Sequence, residues 1–258
     1  MKKNLVSLFF LFNFMLNFAD DNKEILPDAI SKTRGNWINS FNISRDNISL
    51  YYYKDSFLVM TDEQSNVYLN NKNIEQYYMS ILKENKIKKY EAIYAVKYDS
   101  IKYIEISKFE IDNGENLFSI AEWELKKNKW SINFEIITKS SRDSPVVEID
   151  KLKILSDYWL KIANSGNVKF LCEEMYGENG YYIDWEINKG KEAVYAKFKE
   201  FMESPGYFIN FKETVYFSIN ENTGVEIGKY EMPFGTGNFM LVWKKDSFGK
   251  WHVIIDKG

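Results

Sequence analysis

Three pairs of tryptophans constrain this chain more than anything else in it. Trp37 and Trp159 lie 122 residues apart, Trp123 and Trp243 120 apart, and Trp130 and Trp251 121 apart. Three large side chains holding nearly one offset mark an internal repeat. The surrounding phrases agree. AEWELKKNKWSINFEI (121–136) and VWKKDSFGKWHVIID (242–256) both read as Trp, a lysine-bearing turn, Trp, then a strand.

The chain between the tryptophans follows one plan twice. In the first half Pro27 opens a helical pattern through Asn42, with Ile30, Trp37 and Phe41 on one face. Ser44 is placed to cap a short helix ending at Tyr51-Tyr52-Tyr53. FLVM (57–60) is strand-like. Ile74, Tyr77, Tyr78, Ile81 and Leu82 recur at helical spacing, and Tyr77 and Tyr78 are large enough to fill this half's interior. After Lys89 the period becomes two, and three antiparallel strands follow. The second half repeats the order. DYWLKIANSG is a helix stopped at Gly166, VKFLCEEMYG a short helix, and GYYIDW a strand. KEAVYAKFKEFMES presents Val194, Phe198, Phe201 and Met202 on one face, and strands close the chain. SSRDSPVVEIDK (140–151) reads as the linker. The expected fold is α+β: residues 20–139 and 152–258 each place three N-terminal helices on a long antiparallel sheet.

Residues 1–19 differ from the rest. Lys2 and Lys3 precede LVSLFFLFNFMLNF (5–18), too short and too Asn-interrupted for a membrane span but suited to a signal peptide cleaved after Ala19. The expected location is secreted or periplasmic, with no membrane association once the signal is removed. One cysteine, Cys172, allows no disulfide within the chain. The net charge of −3, with no basic stripe, points away from a nucleic-acid partner.

The helix with Trp159, the short helix ending in Tyr176, GKEAVYAKFKEF (190–201) and the closing FMLVWKKDSFGKWHVIID form a recognisable set. They resemble the nuclear-transport-factor-2-like superfamily, in particular the SnoaL-like and ketosteroid-isomerase-like domains of exported bacterial proteins. The first half matches more loosely, through Trp37 with YYYKD (51–55), NIEQYYMSIL and AEWELKKNKWSINFE. It departs at Asn73, where the family often has glycine. The likeness spans residues 28–138 and 152–257. It implies a sheet wrapped around a helix-lidded apolar cavity. Family members include isomerases, dehydratases and cyclases as well as proteins that only bind. They commonly pair through their sheets, which implies domain–domain pairing within this chain.

The chemistry on offer is sparse. A single His and a single Cys leave no metal-ligand set. FGTGNF (234–239) has no following helix to make it a phosphate loop, so no cofactor is expected. His252 is the only histidine. Regular alternation puts Trp251, Val253 and Ile255 on one face of the last strand, and His252, Ile254 and Asp256 on a solvated or domain-facing one, matching Ser131, Asn133 and Glu135. Asp184 and Glu186 flank Trp185, and the family resemblance makes Asp184 a candidate proton-transfer base beside His252. Tyr158, Trp159, Tyr182 and Tyr195 are candidate ligand contacts, as aromatics that can stack and hydrogen-bond.

Three readings stand: a non-enzymatic binder of a small apolar molecule or a partner, a proton-transfer enzyme of isomerase or dehydratase type sited in the second domain, and a purely structural module. A second-domain cavity lacking both Asp184 and His252 removes the enzyme's named residues. A buried carboxylate there with a tyrosine partner counts against the non-enzymatic reading. An open cavity counts against the structural one.

Overall fold

The computed structural model describes residues 26–45, 47–61, 67–81, 85–140, 148–184 and 186–258. The proposed signal, Trp185 and residues 141–147 of the linker lie outside the described residues. The chain divides into two compact units, residues 1–139 and 140–258.

The first unit runs α1 (Asp28–Ile43), a single 3-10 turn (Ile48–Tyr51), β1 (Tyr52–Met60), β2 (Val67–Leu69), α2 (Asn71–Ile81), β3 (Ile87–Lys97), β4 (Lys102–Ile111), β5 (Asn116–Lys126) and β6 (Lys129–Ser140). The second runs α3 (Ile149–Ala163), α4 (Val168–Met175), β7 (Tyr176–Ile183), β8 (Ile187–Lys189), α5 (Lys191–Met202), β9 (Asn210–Asn220), β10 (Thr223–Met232), β11 (Gly235–Lys245) and β12 (Trp251–Lys257). The sheet orders are β2-β1-β6-β5-β4-β3 and β8-β7-β12-β11-β10-β9, the same order twice. Both units are α+β. The sheets are mixed rather than antiparallel, because the early strand after the helices lies parallel to the last strand: β1 beside β6 and β7 beside β12.

Two local readings change. Ser44 ends α1 instead of capping a helix: its N–H bonds Ser40, and Arg45 follows in the left-handed region at φ 61°. The first unit therefore has a 3-10 turn where the second has α4. The glycine at the start of α5, Gly190, sits at φ 88°, and Asn70, not Asn73, takes that position in the first unit at φ 68°. Asparagine tolerates this conformation. The Asn70 side chain also accepts the N–H groups of Lys72 and Asn73, each at 3.1 Å.

Each core lies between the helices and one face of the sheet. In the first, Trp37, Phe41, Tyr77, Tyr78 and Trp123 pack together. In the second, Trp159, Phe198 and Trp243 occupy the places of Trp37, Tyr78 and Trp123.

Candidate functional site

The last strand of the second unit does not alternate regularly. Val242 pairs with Ile255 and Trp243 with Val253, so Ile254 is an extra residue and the strand is bulged. A bulge changes the parity of every residue beyond it. Asp256 therefore turns to the same side as Trp251 and Val253, into the core, correcting the solvated face expected for it. Glu135 has turned inward in the first unit too, where it is fully buried near Ile132 and Ile137.

Glu135 and Asp256 are 121 residues apart, and so are Glu105 on β4 and Glu226 on β10. The repeat thus extends to a pair of buried carboxyls in each copy. In the first copy Arg34 of α1 bridges them. Its guanidinium reaches Glu105 Oε2 at 3.1 Å and Glu135 Oε1 at 3.5 Å. It lies over the rings of Trp37, Phe109 and Trp123 at 5.2, 5.6 and 4.8 Å. Burial alone would lower the Arg34 pKa, but Glu105 and Glu135 more than offset that and raise it. Glu105 also accepts from Tyr90 at 2.6 Å and from Trp123 at 2.6 Å. Glu135 accepts from Tyr78 at 2.9 Å and is bonded to Tyr52 and Ser119.

In the second copy most of those partners are gone. Ser156 stands in place of Arg34, Phe198 of Tyr78, Phe239 of Ser119 and Phe211 of Tyr90. Strand registers support the match: Tyr90 pairs with Phe109 as Phe211 pairs with Tyr230. Glu226 keeps Ser156 Oγ at 2.5 Å and Trp243 Nε1 at 3.1 Å. Asp256 keeps Tyr176, the counterpart of Tyr52. Tyr176 in turn accepts from Trp159 Nε1 at 3.2 Å. Burial raises both carboxyls. Asp256 is pushed up to about 7 by desolvation, opposed by the Tyr176 hydrogen bond. Glu226 is pushed up to about 7 by desolvation, opposed by Ser156 and Trp243 and reinforced by Asp256.

Where the first copy has hydroxyls, the second has the rings of Phe198, Phe211 and Phe239, and these rings line a cavity. A cavity of about 170 Å³ lies over this face, walled by Trp159 from α3, Phe198, Phe201 and Met202 from α5, and Phe211, Tyr230, Phe239 and Leu241 from the sheet. Tyr182, Tyr207 and Ile209 complete it near Asp256. Asp256 is the only charged side chain among the described lining residues. The Tyr207 hydroxyl is buried with no hydrogen-bond partner among the described residues.

No family model matches the chain, and no curated protein matches it. Solved structures do. A domain of unknown function with a cystatin-like fold from Nostoc punctiforme is 10% identical, with 50% of this chain and 83% of that one covered at a TM-score of 0.39. An NTF2-like protein with a cystatin-like fold from Novosphingobium aromaticivorans is 15% identical, covering 42% and 78% at 0.34. A ketosteroid isomerase-like protein from Erwinia carotovora atroseptica is 12% identical, covering 44% and 95% at 0.37. The α+β description above stands on this chain's own strand order and helix placement.

Of the residues singled out from sequence, Trp159 and Tyr182 line the cavity. Tyr158 is exposed on α3. Tyr195 borders a separate depression between α4 and α5, with Lys169, Cys172 and Lys191. Cys172 is pushed up to about 12 by burial, which leaves it a neutral thiol. Asp184 lies off the cavity, paired with Lys197 at 3.3 Å and accepting the Glu186 N–H at 2.9 Å. His252 lies off it too, with Nε2 3.1 Å from Asp246 in the β11–β12 turn. Both proton-transfer candidates are thus tied up in turns and strand ends. Among the described residues no group of three His, Cys, Asp or Glu side chains could hold a metal ion. Sequence reasoning missed Asp256, Tyr176, Tyr207 and Glu226. The signal was there in the repeat: carrying the tryptophan offset to every charged residue pairs Glu135 with Asp256 and Arg34 with Ser156.

Proposed function

We propose that the second domain binds a small, mainly apolar molecule in its cavity, with Asp256 as the polar contact, while the first domain is a closed copy of the same design. One observation carries this reading. The second copy has lost the arginine and two hydroxyls that satisfy Glu135 in the first, and a cavity borders Asp256, the counterpart carboxyl. Apolar walls with a few convergent polar groups are what small-molecule sites share. The volume suits one ring: a cavity of roughly 150 Å³ is known to take benzene. To test it, the full chain is titrated with benzyl alcohol while methyl resonances of Met202 and Met232 are followed. Saturable shifts in both are expected, and Ile209→Phe, which fills the space, is expected to remove them. Unmoved methyls at saturating ligand would refute the reading.

A second reading is favoured by the Asp256 carboxyl itself, a buried carboxyl with a tyrosine partner in the second-domain cavity, which is the arrangement that counts against a purely non-enzymatic binder. Held at about 7 beside Tyr176 in an apolar site, it matches a general acid or base working near neutral pH. On this reading Asp256, not Asp184 or His252, exchanges the proton. The check is α-deuterium exchange of cyclohexanone in heavy water. Acceleration lost in Asp256→Asn supports it, and no acceleration by the wild type removes it.

A further inference from the structure

We propose, resting on the binding reading above, that the ligand carries one positive charge: a small protonated amine with an apolar body, its ammonium seated on Asp256. The first domain supplies the precedent from within the same chain. There the group facing this carboxylate is the cation of Arg34, stacked over Trp37 and Phe109 and paired with Glu135. In the second domain the counterparts of those rings, Trp159 and Tyr230, line the cavity, so two aromatic faces suited to a cation are still in place.

The cavity offers no positive side chain of its own to pair with Asp256, whose side-chain hydrogen-bond partner among the described residues is the neutral Tyr176. A bound ammonium would supply the missing charge. The Tyr207 hydroxyl, buried without a partner, has oxygen lone pairs free to accept one of the ammonium N–H bonds. One charge, and not two, follows from the row across the sheet. Glu226 pairs with Leu241, and Leu241 with Asp256. In the first domain Ala121 stands at the middle of that row, opposite Glu105, and leaves room for the guanidinium to span it. Leu241 closes that space, and Ser156 and Trp243 occupy Glu226, so only one carboxyl remains for a ligand.

The test compares three probes of one shape on the full chain by calorimetry at about pH 8, where an alkylamine is protonated: benzylamine, benzyl alcohol and toluene. Benzylamine is expected to bind at least about tenfold more tightly than benzyl alcohol, and Asp256→Asn to bring the two within about twofold. If Asp256→Asn does not fold, Ile209→Phe must abolish benzylamine binding instead. Equal affinity for benzylamine and benzyl alcohol overturns the charge and leaves the binding reading intact. A preference for the amine that survives both substitutions overturns the proposal by placing the amine elsewhere. No binding by any of the three overturns both.

Discussion

Arg34 on α1 and Ser156 on α3 stand at equivalent turns, three residues before Trp37 and Trp159, and each bonds the equivalent buried glutamate, Glu105 or Glu226. Exchanging one for the other removes the single cation that two buried carboxyls share in the first copy and leaves the second copy's pair without one. The remaining differences follow the same line, since aromatic rings replace the hydroxyls around the second carboxyl and a cavity opens above it.

Removing Arg34 should be costly. Arg34→Ala leaves Glu105 and Glu135 buried and uncompensated, and breaking a buried pair from one side costs about 3–5 kcal/mol. Urea unfolding should show that loss. Adding Glu105→Gln and Glu135→Gln should recover part of it, because the stranded charges are then gone.

Stability should rise as the solution is acidified from pH 8 to pH 5. Asp256 and Glu226 are raised to about 7 from ordinary values of 3.8 and 4.5. Folded, each keeps its proton to higher pH than the unfolded chain does. Stability therefore falls as pH rises between about 4 and 7, and the full cost is in place above that, at no more than about 1.4 kcal/mol per pH unit for each group. The other groups around Asp256 are Tyr176, Tyr182, Tyr207, Tyr230 and Cys172, all pushed upward by burial, so they stay neutral throughout. Glu178 and Asp246 are held below their ordinary values, the first by Lys191 and the second by the Lys250 backbone N–H and His252, so both stay ionised between pH 8 and pH 5. Thermal melts of the wild type and Asp256→Asn at both pH values check this, with a flatter profile expected for the variant.

Tyr176→Phe should destabilise by about 1–3 kcal/mol, since it strips a donor from Asp256 and leaves Trp159 Nε1 without its acceptor. The loss should be larger at pH 8, where Asp256 is ionised and depends most on the hydroxyl, than at pH 5. An equal loss at both values would mean the hydrogen bond does not serve the charged form.

Gly237→Ala probes the cavity wall. A Cβ there would come within 2.4 Å of the Tyr230 Cζ and hydroxyl oxygen, so the ring must move. The clash is with the far end of one side chain, so a modest stability loss of about 1–3 kcal/mol is expected. The diagnostic effect is on ligand binding, read by the benzyl alcohol titration, because Tyr230 forms part of the wall.

Much of the architecture was legible because it rests on large residues. The tryptophan offsets reported two copies, and Ile74, Tyr77 and Tyr78 reported a helix whose rings do fill the first core. The parallel pairing of β1 with β6 was not legible, since strand direction in a sheet depends on which neighbour a strand meets and leaves no local pattern. The site was hidden by a single residue. Ile254 reads as an ordinary strand position, yet as a bulge it carries Asp256 from the outer face to the inner. Attention to the lone histidine was misplaced for a related reason: rarity in the sequence says nothing about facing, and His252 faces Asp246 in a turn. Trp159 and Tyr182, singled out as aromatics able to stack and hydrogen-bond, do line the cavity.

The most direct test of the account is the titration of the Asp256 carboxyl, followed by carbon NMR on protein labelled at aspartate and assigned with Asp256→Asn. A midpoint near 7 is predicted, as befits a carboxyl buried against apolar walls with one tyrosine for support. A midpoint near the ordinary 3.8 would contradict it, by showing that Asp256 is solvated and that the second domain holds no dry cavity around it.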